Sequence, residues 1–368
     1  KKGLRGGVIY HDGQFDDSRM AITLALSADS KKTTLLNYCN VEGLIKKDGE
    51  IIGLNFTDLI NSKKYQIKSK VVINATGVFA EEIIRMDQPK IEKMIQPSQG
   101  VHIVLERRFL KSKHAILIPQ TSDGRVLFAV PWKNYVVVGT TDTHVKKASE
   151  EPKALNEEID FILKNAGKYM SVKPKRDDIK SVFAGLRPLA ATSNKQSTKE
   201  VSRSHKIDIS PSGLISVLGG KWTTYRKIAE DALNTAISIN KLKKKKCKTE
   251  RTKLFGFKRN VSWSDPMHVY GSMKKKVESL GGINDNKSLS KKFYISNNII
   301  EWSIIHEMAL TVEDILARRT RCVFLDSKES KRISPVVAQK MADVLGEDDK
   351  WIDAELKKFN KLIKNYIV

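Results

Sequence analysis

Early in the chain the hydrophobic period changes from helical to strand-like. Apolar residues recur at helical spacing behind Asp16 and Asp17, either of which can cap a first turn. Further on, apolar and polar residues alternate, and hairpin-type turn residues such as Asp48-Gly49 separate the alternating runs. The pattern predicts a helix over 17–29 followed by strands over 34–45, 51–59 and 65–74.

The third of these strands differs from the other two. Its apolar residues Val71, Val72 and Ile73 are consecutive, which is typical of a strand buried on both faces inside a parallel sheet. The turn Asn74-Ala75-Thr76-Gly77 ends this strand, and a helical pattern follows over 80–86. Small residues at the carboxyl end of a strand allow a dinucleotide to lie against the backbone, although an ordinary strand-to-helix turn has the same composition.

The middle of the chain is rich in strands and contains two amphipathic helices. Alternating apolar runs are separated by turn residues, and apolar residues at helical spacing mark the helices. The predicted elements are, in order, strands 101–105, 115–119, 126–130 and 135–139, helix 156–170, strands 206–209 and 214–218, and helix 223–239.

The last part of the chain reads as helical. No element is predicted over 248–290. Beyond it, Thr311 and Asp314 are spaced as a capping box. Ser334-Pro335 is typical of a helix start, and Gly346 of the end of that helix. We expect residues 249–368 to form a separate helical domain.

The composition is that of a globular protein with a strong excess of positive charge. Its 368 residues are enough for two or more domains, and 66 Lys and Arg against 42 Asp and Glu give a formal net charge of +24. This excess favours an anionic membrane surface or an anionic substrate as partner. The lysine run 241–248 lacks the arginines and aromatic residues that nucleic-acid binders interleave, so we expect no nucleic acid. That run is either a solvated connector or a patch for anionic lipid.

Other sequence features exclude several classes of site. The three cysteines are far apart and predict neither disulfides nor structural zinc. His11, His144 and His205 lack the spacing of metal ligands, so we expect no metal. No apolar run approaches the length of a membrane span, and we expect no signal peptide.

The most informative stretch is an apolar strand that runs into Gly219-Gly220-Lys221 and then into a helix. This arrangement brings backbone N–H groups and a helix dipole to a polar ligand, and the glycines allow close approach. It is not a P-loop, because the four-residue spacer between glycines and the following G-K-[ST] are missing. Taken alone, the turn is compatible with many ligands.

Six short motifs stand in order along the chain. They are YHDGQFDDSR (10–19), NATG (74–77), GVH (100–102), GTTD (139–142), GLRPL (185–189) and GGKWTTYR (219–226). In order and rough spacing this set resembles the FAD-dependent (aerobic) glycerol-3-phosphate dehydrogenases, and 307–326 resembles their C-terminal helical domain. The resemblance covers about residues 6–350.

The resemblance implies an α/β fold of the glutathione-reductase-like or D-amino-acid-oxidase-like FAD-binding type, with a mixed-sheet substrate domain and a C-terminal helical domain. No strand–G-x-G-x-x-G–helix unit precedes the first motif, so we expect an N-terminally truncated FAD-binding domain. The expected division is a partial FAD-binding domain at 1–94, a substrate domain at 95–215, a returning FAD-binding segment at 216–240, a basic linker at 241–248 and a helical domain at 249–368.

The resemblance also implies FAD as cofactor and oxidation of sn-glycerol 3-phosphate to dihydroxyacetone phosphate. Electrons would pass to a membrane quinone, or to oxygen in the oxidase branch. We expect a cytoplasmic protein, peripherally associated with the inner face of the cell membrane through its basic surface, and a possible homodimer. Because the family's phosphate cradle has no counterpart here, we expect little activity from this chain alone.

Site residues follow from the same motifs. His102 matches an active-site histidine and suits proton transfer, although its alternating strand also accommodates a structural histidine. Arg187 and Lys221 are expected to act in catalysis and to bind the anionic substrate together with Arg203; a buried ion pair is the alternative for Arg187. Lys221 would also stabilise reduced flavin. The expected cofactor contacts are Val41, Ala75, Thr76, Gly77, Gly219, Gly220, Thr223 and Thr224.

Two other functions remain open at this point. A related flavin oxidase of amines or amino acids would share the flavin motifs, but would carry a carboxylate clamp and no phosphate pocket. A non-catalytic basic module for nucleic acid or lipid would bind with a steep salt dependence and without flavin.

Overall fold

The computed structural model describes residues 6–31, 33–119, 121–190, 205–240 and 242–368. The strands in this part are β1 (Cys39–Lys47), β2 (Glu50–Asp58), β3 (Lys64–Lys68), β4 (Ile73–Asn74), β5 (Ile95–Glu106), β6 (Ile116–Ile118), β7 (Leu127–Trp132), β8 (Tyr135–Gly139), β9 (Thr143–His144), β10 (Ser181–Ala190), β11 (His205–Ile209) and β12 (Ile215–Gly219). The helices are α1 (Asp17–Asp29), α2 (Ala80–Asp87), α3 (Asn156–Ala166), α4 (Tyr225–Ile239), α5 (Lys274–Glu278), α6 (Asn297–Glu307), α7 (Cys322–Leu325), α8 (Ser327–Leu345) and α9 (Asp349–Leu362).

Three sheets organise the first two thirds of the chain. β1, β2 and β3 form an antiparallel meander, and β11, β12 and β4 form a second sheet in which β12 pairs antiparallel with β11 and parallel with β4. The largest sheet has the order β10-β5-β8-β7-β6, with β9 also paired to β5. Every described element after α4 is helical.

Elements with a clear local pattern form where the sequence predicts them. α1 coincides with the predicted helix, and the Asp16 carboxylate accepts the N–H of Arg19 as its N-cap. The two predicted hairpin turns contain positive φ angles at Asp48 (51°), Gly49 (83°) and Ser62 (59°). Asp48-Gly49 is a two-residue hairpin turn, in which positive φ angles at both positions are favoured, whereas the five residues 59–63 join β2 to β3.

The strand predicted over 65–74 is wrong as one element. It divides into β3, which completes the meander, and β4, which pairs with β12. Burial on both faces is also wrong, because Ile73 is 36% exposed whereas Val72 is buried. The apolar run therefore marks the passage from one sheet to another, although the predicted parallel pairing does occur.

The expected mixed sheet in the middle of the chain is antiparallel in all of its described pairings. Hairpin connections between consecutive strands favour this arrangement. β10 was not among the predicted strands, because Gly185 and Pro188 interrupt its alternation. A proline is tolerated there because β10 is the edge strand of the sheet. The boundary expected at residue 215 falls at the first residue of β12, and β11 before it already belongs to the β12–β4 sheet.

Ser334-Pro335 does not begin a helix. α8 begins eight residues earlier at Ser327 with Asp326 as N-cap, and Pro335 lies inside it. The hydroxyl of Ser334 donates to the carbonyl of Lys331, the group that proline leaves without its helical N–H partner. Gly346 ends the helix with a φ of 75°, as expected. The capping box at Thr311 and Asp314 is also present.

The described residues bury several apolar clusters. One lies between the largest sheet and α3, a second joins α2 to β12, and the third is formed by the C-terminal helices. Among the described helices, none combines the length and the hydropathy needed to cross a bilayer.

A buried ion pair ties α1 to the C-terminal helices. The Arg19 guanidinium donates to both carboxylate oxygens of Glu307 at 3.0 and 2.7 Å, and Trp302 Nε1 donates to the same carboxylate at 2.9 Å. Burial acts to lower the pKa of Arg19, but the charge and hydrogen bonds of Glu307 outweigh it and raise that pKa. The pair holds the start of α1, with Asp16 and Asp17, against the helical part.

Removing one partner of this pair is expected to destabilise the protein strongly. Arg19→Met leaves the Glu307 carboxylate buried without its countercharge and should lower the free energy of unfolding by about 3–5 kcal/mol, measured by urea denaturation. The control is Arg85→Met, which breaks an exposed pair with Glu81 and should cost less than about 1 kcal/mol. A cost for Arg19→Met no larger than that of the control would contradict the prediction.

Candidate active site

Two glycine turns lie at the same edge of the β11-β12-β4 sheet. Ile73 pairs with Ile215 and Asn74 with Ser216 in parallel register, so the chain leaves both strands at their shared carboxyl-terminal edge. The first turn is 74–77 and the second is 219–221. Gly77, Gly219 and Gly220 have φ angles of 60°, 69° and 84°. Glycine is favoured at all three positions because side chains resist this left-handed conformation.

Asn74 holds the first turn in place. Its side chain is buried and donates to the carbonyl of Ala80 at 2.9 Å and to Ser216 Oγ at 3.2 Å. Its Oδ1 accepts the hydroxyl of Thr76 at 2.7 Å. The amide therefore links β4, the start of α2 and β12 in one hydrogen-bonded unit.

The surface of the two glycine turns is polar and open. Ala75 and Thr76 are exposed, and a Cβ added at Gly77 would meet nothing within 4 Å. Lys221, Thr223 and Thr224 are exposed as well; Thr224 donates its hydroxyl to the carbonyl of Lys221 at 3.0 Å. This combination of free backbone, hydroxyl groups and one cation fits the polar parts of a dinucleotide.

A cavity of about 520 Å³ opens next to the second glycine turn. Such a volume lies in the range of small-molecule and cofactor sites. It brings together three of the residues predicted from sequence, namely His102, Lys221 and Thr223. The whole lining, which we call the main cavity, comprises Gln14, Phe15, Asp16, Asp17, His102, Val130, Trp132, Val137, Phe183, Lys221, Trp222, Thr223 and Arg321.

His102 is held on β5 between an aromatic ring and a glycine. Its imidazole stacks on Phe183 with ring centroids 5.2 Å apart, and a Cβ at Gly139 would lie 2.7 Å from its Cγ. Burial, followed by the positive charge of Arg187, lowers the pKa of His102 to about 4. The imidazole is therefore neutral at physiological pH and able to accept a proton.

Arg187 lies close enough to influence His102 but does not line the main cavity. A Cβ at Gly100 would lie 2.5 Å from its Nη2, so this glycine makes room for the guanidinium. Nη2 donates to Thr140 Oγ1 at 3.1 Å and to the carbonyl of Thr141 at 3.2 Å, and Nη1 lies 3.5 Å from Asp142 Oδ1. The Arg187 side chain remains 33% exposed. It therefore does not form the buried ion pair that was the alternative prediction from its apolar sequence neighbours.

Among the described residues, the other predicted contacts do not line the main cavity. Val41 is on β1, opposite Phe56 in the separate meander sheet. Arg203 lies outside the described residues. Gly220 has a packing role as well, because a Cβ there would lie 2.7 Å from Ile228 Cδ1.

Several lining residues were not proposed from the sequence. Phe15, Asp16 and Asp17 belong to the first motif, in which Asp16 and Asp17 were predicted only as helix caps. Trp132 sits in a predicted turn. Arg321 is the last cation of the run Arg318-Arg319-Thr320-Arg321, and this concentration of arginines was the available signal.

Comparisons with known proteins agree with this geometry. A profile of the family described as FAD dependent oxidoreductase matches residues 1–226. The chain belongs to this family. A second profile, described as the C-terminal domain of alpha-glycerophosphate oxidase, matches residues 215–352. The FAD-binding α/β fold and the C-terminal helical part predicted from sequence are thereby confirmed.

Curated relatives are named as glycerol-3-phosphate dehydrogenases. The mitochondrial protein of Bos taurus is 33% identical over 395 residues, an alignment that covers 99% of this chain and 54% of the relative. A probable mitochondrial glycerol-3-phosphate dehydrogenase of Dictyostelium discoideum is 34% identical over 401 residues, covering 100% of this chain and 62% of the relative. The chain thus spans about half to three fifths of the length of these relatives.

A solved structure shows the same similarity. The glycerol-3-phosphate dehydrogenase of Bacillus halodurans, complexed with FAD, superposes with a TM-score of 0.83 at 25% identity. The match covers 96% of this chain and 74% of that one. The resemblance predicted from the six motifs is therefore confirmed over nearly the whole chain.

The room that Gly139 leaves for His102 can be tested directly. Gly139→Ala should displace the imidazole, lower the free energy of unfolding by about 1–3 kcal/mol, and shift the pKa of His102 from about 4 toward its ordinary value of 6.5. Urea denaturation and an NMR titration of the imidazole measure the two effects.

Gly185→Ala is the matched control, because a Cβ there would meet nothing within 4 Å. It should change the stability by less than about 0.5 kcal/mol and leave the pKa of His102 unchanged. Wild-type behaviour of Gly139→Ala in both measurements would show that His102 is not packed against this glycine.

Proposed function

We propose that this chain carries the flavin and substrate side of an enzyme that oxidises sn-glycerol 3-phosphate to dihydroxyacetone phosphate. The observation that carries the proposal is the main cavity itself, where a neutral histidine and two cations, Lys221 and Arg321, lie beside the second glycine turn. Relatives named glycerol-3-phosphate dehydrogenases align with 99–100% of the chain, which supports the same conclusion.

The two glycine turns hold the cofactor in this proposal. Backbone groups of 75–77 and 219–220 would hold the polar chain of FAD, the hydroxyls of Thr223 and Thr224 would bind its oxygens, and Val41 would contact the adenine. FAD held there would supply the acceptor for the hydride that leaves C2 of the substrate. The sequence contains no G-x-G-x-x-G, so the turns provide only part of a dinucleotide site.

His102 takes the proton of the substrate hydroxyl. Its pKa of about 4 leaves the ring nitrogen unprotonated above that pH, which is the state a general base needs. The positive charge of Arg187 contributes to this low pKa. A bound dianionic phosphate offsets positive potential at the site, so substrate binding itself raises the basicity of His102.

Cations around the main cavity select an anionic substrate. Lys221 is an exposed residue of the cavity lining and supplies one positive charge. Arg187, on β10 beside the cavity, and Arg203 are proposed to bind the same anionic substrate. Charge-assisted hydrogen bonds from guanidinium and ammonium groups are the strongest that a protein offers to phosphate. The formal net charge of +24 also draws phosphate substrates toward the protein.

The proposal also names an electron acceptor and a location for the protein. We propose that electrons pass to a membrane quinone, with oxygen as the alternative acceptor. The basic surface would hold the protein, as a homodimer, peripherally against the anionic inner face of the cell membrane. The division into a partial FAD-binding domain, a substrate domain and a C-terminal helical domain is part of this proposal.

Anaerobic flavin reduction tests the proposed reaction in the FAD-loaded protein, to which the G-x-G-x-x-G segment of the family is joined because the turns provide only part of the cofactor site. sn-Glycerol 3-phosphate should bleach the flavin absorption in a stopped-flow experiment, and glycine should not. His102→Gln should slow this reduction by about 10²–10⁴-fold, since it removes the base but keeps the shape.

His114→Gln is the matched control, because His114 is exposed and does not line the main cavity. It should reduce at the wild-type rate. Reduction by amines alone would favour an amine oxidase and exclude the proposed substrate. Equal rates for His102→Gln and the wild type would exclude His102 as the base.

A further inference from the structure

Arg321 is brought into the main cavity by the C-terminal helical part. A π-helical turn over Asp314–Arg319 precedes it, and Arg321 is the N-cap residue of α7. Its φ is 65°, a left-handed conformation that is uncommon for a residue with a side chain. The left-handed backbone conformation therefore occurs at the residue whose side chain lines the cavity.

The Arg321 side chain is buried but weakly paired. The residue is 9% exposed, and its guanidinium lies over the ring of Phe324 at 3.9 Å and near that of Trp132 at 5.8 Å. Its ion-pair partners are Asp17, at 3.1 Å from Nη2, and Asp16, at 3.7 Å from Nε. Nε is buried and finds no hydrogen-bond acceptor among the described residues.

The neighbouring arginines of the run donate to carboxylate and carbonyl groups outside the main cavity. Arg319 donates to the Glu307 carbonyl at 3.0 and 2.6 Å and to Asp314 at 3.2 Å. Arg318 donates to Glu313 at 2.5 Å and to Glu151 at 3.2 Å. Their roles in the helical part are structural. Arg321 differs because it lines the main cavity and its buried Nε has no hydrogen-bond acceptor among the described residues.

Of its two acidic partners, Asp16 has another structural function and Asp17 is exposed. Asp16 caps α1 by accepting the N–H of Arg19 at 3.0 Å. The Asp17 side chain is 61% exposed and gives Arg321 its shorter ion pair. An exposed carboxylate that neutralises a buried guanidinium competes with any anion that enters the cavity.

We propose that Arg321 binds the phosphate group of the substrate and that Asp17 occupies the guanidinium until the substrate arrives. This inference rests on the proposed function and deepens it, because it names the residue that distinguishes a phosphate ester from an uncharged alcohol. A guanidinium offers phosphate a planar pair of donors, which a lysine does not. The helical part thereby contributes directly to substrate recognition.

The two substitutions Arg321→Gln and Asp17→Asn separate this role from a structural one. If Arg321 binds phosphate, Arg321→Gln should raise the Kd for inorganic phosphate and the KM for sn-glycerol 3-phosphate by about 10- to 100-fold, the loss of charge-assisted hydrogen bonds. Asp17→Asn should lower both values, by about 2- to 5-fold, because it removes a competing exposed charge. A purely structural ion pair would make both variants bind more weakly.

Calorimetry with inorganic phosphate and stopped-flow reduction of the FAD-loaded protein provide the two readouts. Arg318→Gln is the matched control, a nearby arginine outside the cavity lining, and should change neither value more than twofold. Arg321→Lys keeps the positive charge but lacks the planar pair of guanidinium donors, and it should recover part of the phosphate affinity that is lost in Arg321→Gln. If Arg321→Gln does not fold, tighter binding by Asp17→Asn supports the inference, and unchanged or weaker binding overturns it.

The outcomes for this inference and for the proposed function are distinct. Flavin reduction by sn-glycerol 3-phosphate with wild-type KM and phosphate Kd in Arg321→Gln would overturn the role of Arg321 and leave the proposed function intact. Absence of reduction in the wild type would overturn the proposed function. The phosphate Kd of the variants would still decide whether Arg321 is an anion site.

Discussion

The site depends on a parallel pairing that is only two residues long. β4 meets β12 through Ile73 with Ile215 and Asn74 with Ser216, and the buried Asn74 side chain binds Ser216 and the start of α2. Without this contact nothing would hold the glycine turn after β4 beside the glycine turn after β12. With it they form one continuous polar edge, because parallel strands end on the same side of a sheet.

A second constraint is the space that glycine leaves around charged side chains. Gly139 on β8 clears the volume that the His102 ring occupies, and Gly100 on β5 does the same for Arg187. Packing of this kind places a neutral imidazole and a guanidinium near each other inside the largest sheet. The burial and the positive charge lower the pKa of His102, and so the packing sets the protonation state on which the proposed proton transfer depends.

Local sequence patterns predicted the elements that are stabilised locally. α1, with its Asp16 cap, and the hairpin at Asp48-Gly49 formed where expected, because a helix cap and a turn are short-range features. Pro335 misled the prediction, because the hydroxyl of Ser334 satisfies the carbonyl that proline leaves open. The space that Gly139 leaves for His102 depends on the register between β8 and β5. The position of Arg321 in the cavity lining depends on how the C-terminal helices pack against the rest of the chain. Neither can be read from one segment.

The central claim is that the two glycine turns hold the flavin, and hydrogen exchange with and without FAD tests it most directly. Mass spectrometry of the amides should show slower exchange over 74–80 and 218–226 when FAD is added, since bound backbone groups no longer open to water. Binding of FAD, established independently by flavin fluorescence, with unchanged exchange in both segments would contradict the account.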